Sequence, residues 1–317
     1  MRILALVPGG IGDQILFFPT LEDLKTQYPN ATIDVIVESR AKSAYRVCPC
    51  IHEVLIFDYQ AHSGLADYLN VLGIIRDREY DIALNLGQKW TIDLLLWLNG
   101  IPLRIGYRSQ TSWFVSNPVP LKTEQYASHV AHDLLTGLGI KSSCPPLKIA
   151  VPTEDIDWAQ AEQQRLDLKD NYVLIYNGSS RVPQESKAIY PVEQWRTIID
   201  SFKQKQPNLS VVLLQDSNNS EQTILMQENY PMLKVTRPGD VGKLAAIIAG
   251  ANSILCTDSD PLQLAVAVGT YTFALFGPTD STKLLPSGSE RYIGIQSSTD
   301  KVADIPPETI MVKMWGS

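Results

Sequence analysis

The chain has 317 residues, of which 44% are hydrophobic and 19% charged, and its formal net charge is −7. This length is typical of two domains, and the composition excludes wholesale disorder. An acidic chain has no general attraction for nucleic-acid phosphates, so we expect no nucleic-acid partner. Four scattered cysteines without a CxxC pair indicate reduced thiols in a cytoplasmic protein, and neither a disulfide framework nor a zinc site.

Apolar runs in the sequence are too short to cross a membrane. The N-terminal run 3–7 and the internal run 94–98 fall far below the ~20 residues that a spanning helix needs. We therefore expect a soluble protein, or one that is at most peripheral to a membrane.

In the first half of the chain, short apolar runs alternate with amphipathic stretches. The predicted strands are 3–7, 33–37, 54–57 and 82–86. The predicted helices are 14–27, 41–47, 65–78, 91–99 and 126–138. Unbroken apolar strands that alternate with helices predict a parallel, doubly wound sheet, because helices cover both faces of such a sheet.

Residues 141–152 are rich in serine and proline and predict a linker, after which the alternation starts again. The predicted strands of the second half are 173–176, 211–214, 254–256 and 272–275. The predicted helices are 154–168, 191–205, 220–228, 241–249 and 261–268. We therefore expect two α/β domains, 1–150 and 151–317. Doubly wound domains bind ligands at the carboxyl ends of their strands, so functional residues should directly follow strands.

The first candidate site is the loop PGGIGD at 8–13, between the first predicted strand and the first predicted helix. Glycines allow a close approach to a ligand or a turn with positive φ, and the helix N-terminus supplies N–H groups. Asp13 is either a helix-start carboxylate or a functional acid. A dinucleotide fingerprint would need glycine where Ile15 stands, and the Gly-Lys-Ser/Thr of a Walker loop is absent.

A second candidate cluster, Asn177-Gly178-Ser179-Ser180, follows a predicted strand and precedes Lys187. A Gly/Ser turn presents N–H groups to an anion, and Lys187 can add a point charge to a phosphate. The alternative for Lys187 is a solvated loop residue.

The third candidate cluster is Thr257-Asp258-Ser259-Asp260 before a predicted helix. Ser259 or Asp260 is expected to cap that helix, with Pro261 in its first turn. Two interpretations stay open: a well-made helix start, or a diphosphate site on the helix N-terminus.

Together these clusters resemble glycosyltransferase family 9, the ADP-heptose:lipopolysaccharide heptosyltransferases. The resemblance rests on GGIGDQILFFPTLEDLKTQYPNATIDVIVE, on Arg-Ile-Gly-Tyr at 104–107, on NGSS…SKAIYPVEQW and on TDSDPLQLAVAVGTYTFALFGPTD, which occur in the family's order over most of the chain. It implies a GT-B architecture of two facing Rossmann-like domains, with the acceptor mainly on the first and the donor mainly on the second. It also implies an inverting transfer of a sugar from a nucleotide diphosphate, without metal or cofactor.

The resemblance assigns roles to individual residues. Asp13 matches the catalytic base or acceptor-orienting carboxylate, and Lys187 matches a diphosphate contact. Glu221 aligns loosely with an acidic residue that contacts the nucleotide. The substrate-binding residues implied are Gly10, Gly12, Gly178, Ser179, Lys187, Glu221, Asp258, Ser259, Asp260 and Gln263.

Three positions depart from the family pattern: Asp260 replaces Gly, Gln263 replaces His and Tyr190 replaces Trp. A carboxylate at position 260 repels a diphosphate unless a cation or helix dipole offsets it, and Gln263 cannot become cationic. The expected partners are an ADP-heptose-like donor and a glycan or glycolipid acceptor, and peripheral contact with the inner membrane would fit. The alternatives are a weakened or non-catalytic protein that binds a nucleotide sugar and, less favoured because of the missing glycine, a nicotinamide-dependent oxidoreductase.

Overall fold

A computed structural model of the protein describes residues 1–59, 64–110, 112–168, 171–178 and 189–316. The chain divides into two compact units, Met1–Lys148 and Ile149–Ser317. The described part of each unit contains one six-stranded sheet in which all strand pairs are parallel. The predicted α/β class with doubly wound parallel sheets is confirmed.

The N-terminal unit alternates strands and helices. Its strands are β1 (Arg2–Val7), β2 (Thr32–Val37), β3 (Glu53–Ile56), β4 (Ile82–Asn85), β5 (Leu103–Tyr107) and β6 (Asn117–Val119). Its α-helices are α1 (Ile11–Gln27), α2 (Leu65–Arg76), α3 (Trp90–Leu98) and α4 (Ala127–His132). The strand order β3-β2-β1-β4-β5-β6 reverses direction between β1 and β4, and this switch point is where an open α/β sheet binds its ligand.

The C-terminal unit repeats this pattern. Its strands are β7 (Tyr172–Tyr176), β8 (Ser210–Leu214), β9 (Lys234–Thr236), β10 (Ser253–Thr257), β11 (Tyr271–Phe276) and β12 (Tyr292–Gln296). Its α-helices are α5 (Thr153–Arg165), α6 (Val192–Lys205), α7 (Ser220–Asn229), α8 (Val241–Ala249), α9 (Asp260–Val268), α10 (Ser281–Leu284) and α11 (Pro307–Trp315). The order β12-β11-β10-β7-β8-β9 places the switch point between β7 and β10.

Each unit has its own hydrophobic core. In the N-terminal unit, Val71 of α2 and Leu95 of α3 pack with Leu4 of β1 in one cluster, so both helices cover the same face of the sheet. In the C-terminal unit the fully buried Trp195 of α6 packs against Tyr190 at a ring distance of 5.3 Å. Burial of such side chains contributes ~1.5–3 kcal/mol each and fixes the helices that carry the loops discussed below.

Two predicted helices differ from the structure. Residues 41–47 belong to a 3₁₀ helix, Ser39–Val47, and its buried residues Ala41, Ala44 and Val47 recur with the three-residue period of that helix. The predicted helix 126–138 is α4 followed by the 3₁₀ helix Asp133–Leu138, which ends at Gly139 with φ +78°.

The sequence patterns did not predict strands β5, β6, β9 and β12 or helices α10 and α11. Most of these strands are short or lie at a sheet edge, and the central position of β6 is Pro118, which edge strands tolerate because its missing N–H is not needed there. Among the described residues, no helix has the length and apolar character needed to cross a membrane.

Asp34 is a buried carboxylate at the amino-terminal edge of the first sheet. It accepts hydrogen bonds from Tyr80 Oη (2.7 Å) and Arg2 Nη2 (3.0 Å), and His52 Nδ1 lies 3.0 Å away. Burial alone raises the pKa of Asp34, but the hydrogen bonds from Tyr80, His52 and Arg2 outweigh it and hold the pKa below its ordinary value of 3.8.

We expect acid to weaken the fold through Asp34. A lowered folded-state pKa gives stability that is complete above the unfolded-state value and is lost as the pH falls through the folded value, below about 4. Asp34→Asn should lower the free energy of unfolding by about 2 kcal/mol at neutral pH and reduce its loss on acidification. Urea unfolding between neutral pH and about pH 2 measures both effects. Equal losses on acidification in the two proteins would contradict this role.

Candidate functional site

The loop that contains Asp13 lies at the switch point of the N-terminal sheet. It follows β1, and the loop after the neighbouring strand β4 lies against it, because a Cβ on Gly87 would be 3.7 Å from Pro8 Cγ. The structure therefore places the predicted acid where doubly wound sheets bind ligands.

The Asp13 carboxylate is folded back over the glycines of its own loop. Its Oδ2 accepts a hydrogen bond from the Gly10 amide at 2.9 Å, which caps helix α1. Gly9 has φ +111°, and a Cβ on Gly9 would lie 2.3 Å from Asp13 Oδ2. Position 9 therefore requires glycine, because a larger residue would displace the Asp13 carboxylate. The glycines predicted from the sequence were Gly10 and Gly12.

Gly10 and Gly12 have less demanding conformations. Gly10 has φ −87°, and the nearest atom to a Cβ there would be Arg40 Nη1 at 3.8 Å, so an ordinary side chain fits. Gly12 lies buried in the first turn of α1.

A buried acid and a cation after β2 support this loop. Glu38, which is 5% exposed, accepts a hydrogen bond from the Gly9 amide at 3.1 Å and pairs with Arg40 at 2.8 Å. The sequence patterns predicted neither residue. Their position directly after a strand that neighbours β1 is the signal that could have identified them.

On the other side of β1, Asn85 and Asp93 hold the loop after β4. Asn85 accepts a hydrogen bond from the Gly87 amide at 2.9 Å and donates one to Asp93 Oδ1 at 2.8 Å. Asp93 is buried, and burial raises its pKa. This network fixes the loop after β4 beside the candidate loop 8–13, and the sequence patterns did not predict it.

At the switch point of the C-terminal sheet, two predicted clusters meet. The Thr257 hydroxyl at the end of β10 donates a hydrogen bond to the Gly178 carbonyl after β7. Asp258 and Ser259, which follow Thr257, are both buried. Ser179 and Lys187 lie outside the described residues.

Gly178 is confined by rigid neighbours. A Cβ at this position would lie 2.7 Å from Tyr176 Oη and 2.9 Å from Asn219 Cβ. The Tyr176 hydroxyl in turn donates to Asp216 Oδ2 at 2.9 Å. Asp216 follows β8 and is therefore an acid at this edge that the sequence analysis overlooked. Glu221 is exposed in the first turn of α7.

Helix α9 begins at the same edge. Ser259 is its N-cap residue, as expected, but the Ser259 hydroxyl donates to the Thr257 carbonyl at 2.9 Å and does not cap the helix. Asp260 and Pro261 occupy the first turn. Gln263 is buried, and its Nε2 donates to the Leu284 carbonyl at 3.2 Å.

Tyr190 is a core residue rather than a surface contact. It is fully buried, its hydroxyl donates to the Ile305 carbonyl at 2.9 Å, and its backbone carbonyl accepts from the Asn177 side chain at 2.8 Å. Tyr190 therefore belongs to the packing of this domain.

Among the described residues, one trio of potential metal ligands has its ligand atoms within 4.8 Å of one another: Asp34, His52 and Glu53. Arg2 pairs with Asp34 at 3.0 Å, and Arg78 pairs with Glu53 at 3.0 Å. Arg2 and Glu53 begin β1 and β3, so the trio lies at the amino-terminal edge of the sheet, opposite the candidate loops. Because arginines already offset both carboxylates, we interpret it as an ion-pair network.

Two curated relatives and two solved structures show what the chain is similar to. It is 22% identical over 98% of its length to the photosynthetic NDH subunit of subcomplex B 1 of Arabidopsis thaliana, of which it covers 72%. It is 23% identical over 85% of its length to lipopolysaccharide heptosyltransferase 3 of Escherichia coli, of which it covers 81%.

The structural neighbours share the fold at low sequence identity. A family 9 glycosyl transferase from Veillonella parvula superposes with a TM-score of 0.86 at 21% identity, over 99% of this chain and 96% of that one. The E. coli ADP-heptose lps heptosyltransferase II superposes with a TM-score of 0.79 at 18% identity, over 99% and 97% of the two chains.

The family comparison covers both units. The sequence model described as glycosyltransferase family 9 (heptosyltransferase) matches residues 71–311, which is well over half of the chain. The chain therefore belongs to glycosyltransferase family 9, the heptosyltransferase family.

Proposed function

We propose that this glycosyltransferase moves a heptose-type sugar from an ADP-heptose-like donor to a glycan or glycolipid acceptor of the lipopolysaccharide type. The observation that carries the proposal is the Asp13 carboxylate, which the Gly10 amide holds at the β1/β4 switch point. The names of the E. coli relatives, which include a lipopolysaccharide heptosyltransferase and an ADP-heptose enzyme, support this donor and acceptor class.

In the proposed inverting reaction, an acceptor hydroxyl attacks the anomeric carbon while the bond from that carbon to the leaving diphosphate breaks. The hydroxyl proton passes to the Asp13 carboxylate, or Asp13 only orients the hydroxyl and the proton passes to the leaving diphosphate or to water. Asp13 is suited to either role because the Gly10 amide fixes the direction of its oxygens and it is only partly buried.

For the donor, we propose the loops after β7 and β10 as the diphosphate site. The side chain of Ser259 accepts no hydrogen bond from the first turn of α9, so this helix start can offer amide groups to a phosphate. The roles of Gly178, Ser179, Lys187, Glu221, Asp258 and Gln263 as donor contacts remain part of this proposal. Negative charge on the leaving diphosphate must be offset during transfer, and amides at a helix N-terminus do so without a metal.

A second candidate function is binding of a nucleotide sugar without efficient transfer. Asp260 places a carboxylate in the first turn of α9, and the amide of Gln263 is engaged by a backbone carbonyl. The relative in Arabidopsis is named as a subunit of a photosynthetic complex, which also favours this alternative.

The experiment that separates the two functions combines binding with transfer. A thermal-shift screen against nucleotide diphosphate sugars identifies the donor, since saturating ligand stabilises the fold by a few kcal/mol. Transfer of labelled sugar to lipopolysaccharide-type glycolipids, with and without EDTA, then measures activity. We expect transfer that EDTA does not reduce. Binding without transfer would support the second function, and loss in EDTA with recovery on adding magnesium would contradict the metal-independent reaction.

Asp260→Asn should strengthen binding of ADP about fivefold. The substitution removes a negative charge beside the proposed diphosphate site, where two unit charges about 4 Å apart in water repel by ~1 kcal/mol. Glu308→Gln, in the first turn of α11, removes an exposed helix-start carboxylate that follows the edge strand β12 and is the matched control. Isothermal titration calorimetry with ADP measures both variants. Weaker binding in Asp260→Asn would show that the carboxylate itself holds the nucleotide.

A further inference from the structure

Apart from Thr91 and the buried Asp93, helix α3 consists of apolar residues, yet one side of it faces solvent. Its residues Ile92, Leu95 and Leu96 pack in the core of the N-terminal unit. Trp90 and Trp97 are 49% and 50% exposed. A helix that is hydrophobic all round is ordinarily buried, so its outer side indicates a surface that another body covers.

The exposed residues of α3 form one stripe. Trp90, Leu94, Trp97 and Leu98 follow the spacing i, i+4, i+7, i+8, which places them on a single helix face. Leu98 is 47% exposed and Leu94 is half-buried. The helix has one charged residue, Asp93, and that residue points into the protein, so the stripe itself carries no charge.

The apolar surface continues onto the 3₁₀ helix Ser112–Phe114. The Phe114 ring lies 5.6 Å from the Trp97 ring, which joins this segment to α3. The neighbouring Trp113 is 87% exposed, the highest exposure among the large hydrophobic residues of the described chain.

On its other side, α3 lies beside α2. The Tyr68 hydroxyl is 3.4 Å from Thr91 Oγ1, and Arg76 Nη2 donates to the Leu98 carbonyl at 3.3 Å, so the helices run side by side in the same direction. Leu65 and Leu69, one helical turn apart on α2, are 77% and 57% exposed. We call the combined surface the tryptophan face; it consists of Leu65, Leu69, Trp90, Trp97, Leu98 and Trp113.

The tryptophan face is distinct from the rest of the described surface. Three of the chain's six tryptophans belong to it. In the C-terminal unit Trp195 is buried, whereas Trp158 and Trp315 are partly buried. The exposed apolar residues of that unit include Met232 and Leu225 but no tryptophan.

The exposed charges of segment 86–116, which carries α3 and Trp113, are cationic, whereas α2 adds the exposed Asp67 between Leu65 and Leu69. Segment 86–116 carries Lys89, Arg104 and Arg108, and its one carboxylate, Asp93, is buried. Lys89 and Arg104 donate to backbone carbonyls, and none of the three cations forms an ion pair within the described residues. In a chain of net charge −7, this segment therefore presents positive charge next to apolar surface.

We propose that the tryptophan face docks the N-terminal unit on an anionic lipid bilayer. Tryptophan favours the boundary between lipid headgroups and acyl chains, because its ring is apolar while its N–H remains hydrated. Exposed leucines supply further apolar area, and neighbouring lysine and arginine residues are attracted by the negative surface of the membrane. The docking holds whether or not the protein transfers a sugar, because it rests on this surface alone.

Vesicle co-sedimentation tests the proposal with the full-length protein. We expect it to bind vesicles of phosphatidylcholine and phosphatidylglycerol, and to bind pure phosphatidylcholine vesicles more weakly. The double variant Leu98→Ser/Trp113→Ser should lower the partition coefficient about tenfold, because both apolar side chains enter the bilayer interface. Arg108→Gln should weaken binding only to the anionic vesicles, about fivefold.

Matched substitutions on the other unit serve as controls. Leu225→Ser/Met232→Ser removes exposed apolar side chains of the C-terminal unit, and Lys301→Gln removes an exposed cation of that unit. These variants should bind vesicles like the original protein, and far-UV circular dichroism should show that all variants are folded. Failure of the original protein to bind either kind of vesicle, or equal binding by the Leu98→Ser/Trp113→Ser variant, would overturn the proposal. A dimer in solution that this variant disrupts, without vesicle binding, would assign the face to a second copy of the chain and would also overturn it.

Discussion

Asp13→Asn is expected to lower the turnover number about 10²–10⁴-fold while the affinity for the nucleotide diphosphate stays largely unchanged. Asparagine keeps an oxygen that can accept the Gly10 amide, so the cap of α1 and the shape of the loop persist. The asparagine amide cannot take a proton from the acceptor hydroxyl. It also orients that hydroxyl more weakly, because it carries no negative charge. Steady-state transfer kinetics together with calorimetric titration of ADP measure the two effects separately.

The chain contains a matched control for this substitution. Asp67 stands at the same helical position of α2, and its Oδ2 accepts from the Gly64 amide at 2.9 Å, as Asp13 accepts from Gly10. Asp67→Asn therefore repeats the loss of a capping charge without touching the candidate site, and its turnover should equal that of the original protein. Unchanged turnover in Asp13→Asn would remove Asp13 from the mechanism. Equal losses of turnover in Asp13→Asn and Asp67→Asn would show that the effect comes from the loss of a helix cap and not from the reaction itself.

Gly9→Ala should lower the free energy of unfolding by about 2–4 kcal/mol and also depress turnover. The positive φ of Gly9 strains any residue with a Cβ, and the Cβ would meet Asp13 Oδ2 at 2.3 Å. Relief of this clash must move the carboxylate, which is the proposed reactive group. Gly10→Ala is the control, since its φ of −87° and its open surroundings accept alanine within about 1 kcal/mol.

Urea unfolding and transfer kinetics of the two alanine variants measure this prediction. The double variant Gly9→Ala/Asp13→Asn tests whether Gly9 affects turnover through the Asp13 carboxylate. If it does, the loss of activation free energy in the double variant should be smaller than the sum of the losses in the two single variants. Gly9→Ala with the stability and turnover of Gly10→Ala would contradict the requirement for glycine.

The buried network of Asn85 and Asp93 shows why parts of the candidate site escaped the sequence analysis. Asn85 ends a strand and Asp93 lies inside an apolar helix, and neither position carries a loop motif. They become relevant only because β4 lies beside β1 in the sheet, which brings Gly87 next to Pro8. Glu38 directly follows a predicted strand, but its contact with the Gly9 amide likewise depends on β2 being the other neighbour of β1.

The exposed side of α3 is a second feature that the sequence patterns could not predict. Its sequence, WTIDLLLWL, predicts a helix but contains no polar face, so periodicity cannot indicate which side meets the sheet. Only the packing of Ile92, Leu95 and Leu96 against the core shows that the two tryptophans point outward. The surface that we propose to dock on a bilayer is therefore a property of the tertiary structure.

The amino-acid sequence by itself determined the alternation of strands and helices, the doubly wound class of both sheets, the resemblance to the family and the placement of Asp13, Gly178 and Asp258 after strands. These features depend on local patterns of apolar residues and on turn chemistry, which act over a few residues. The tertiary structure alone decided that Gly9 faces the carboxylate and that Asp216 contacts Tyr176. Strand order brings together residues that are distant in the chain, and local patterns do not specify that order.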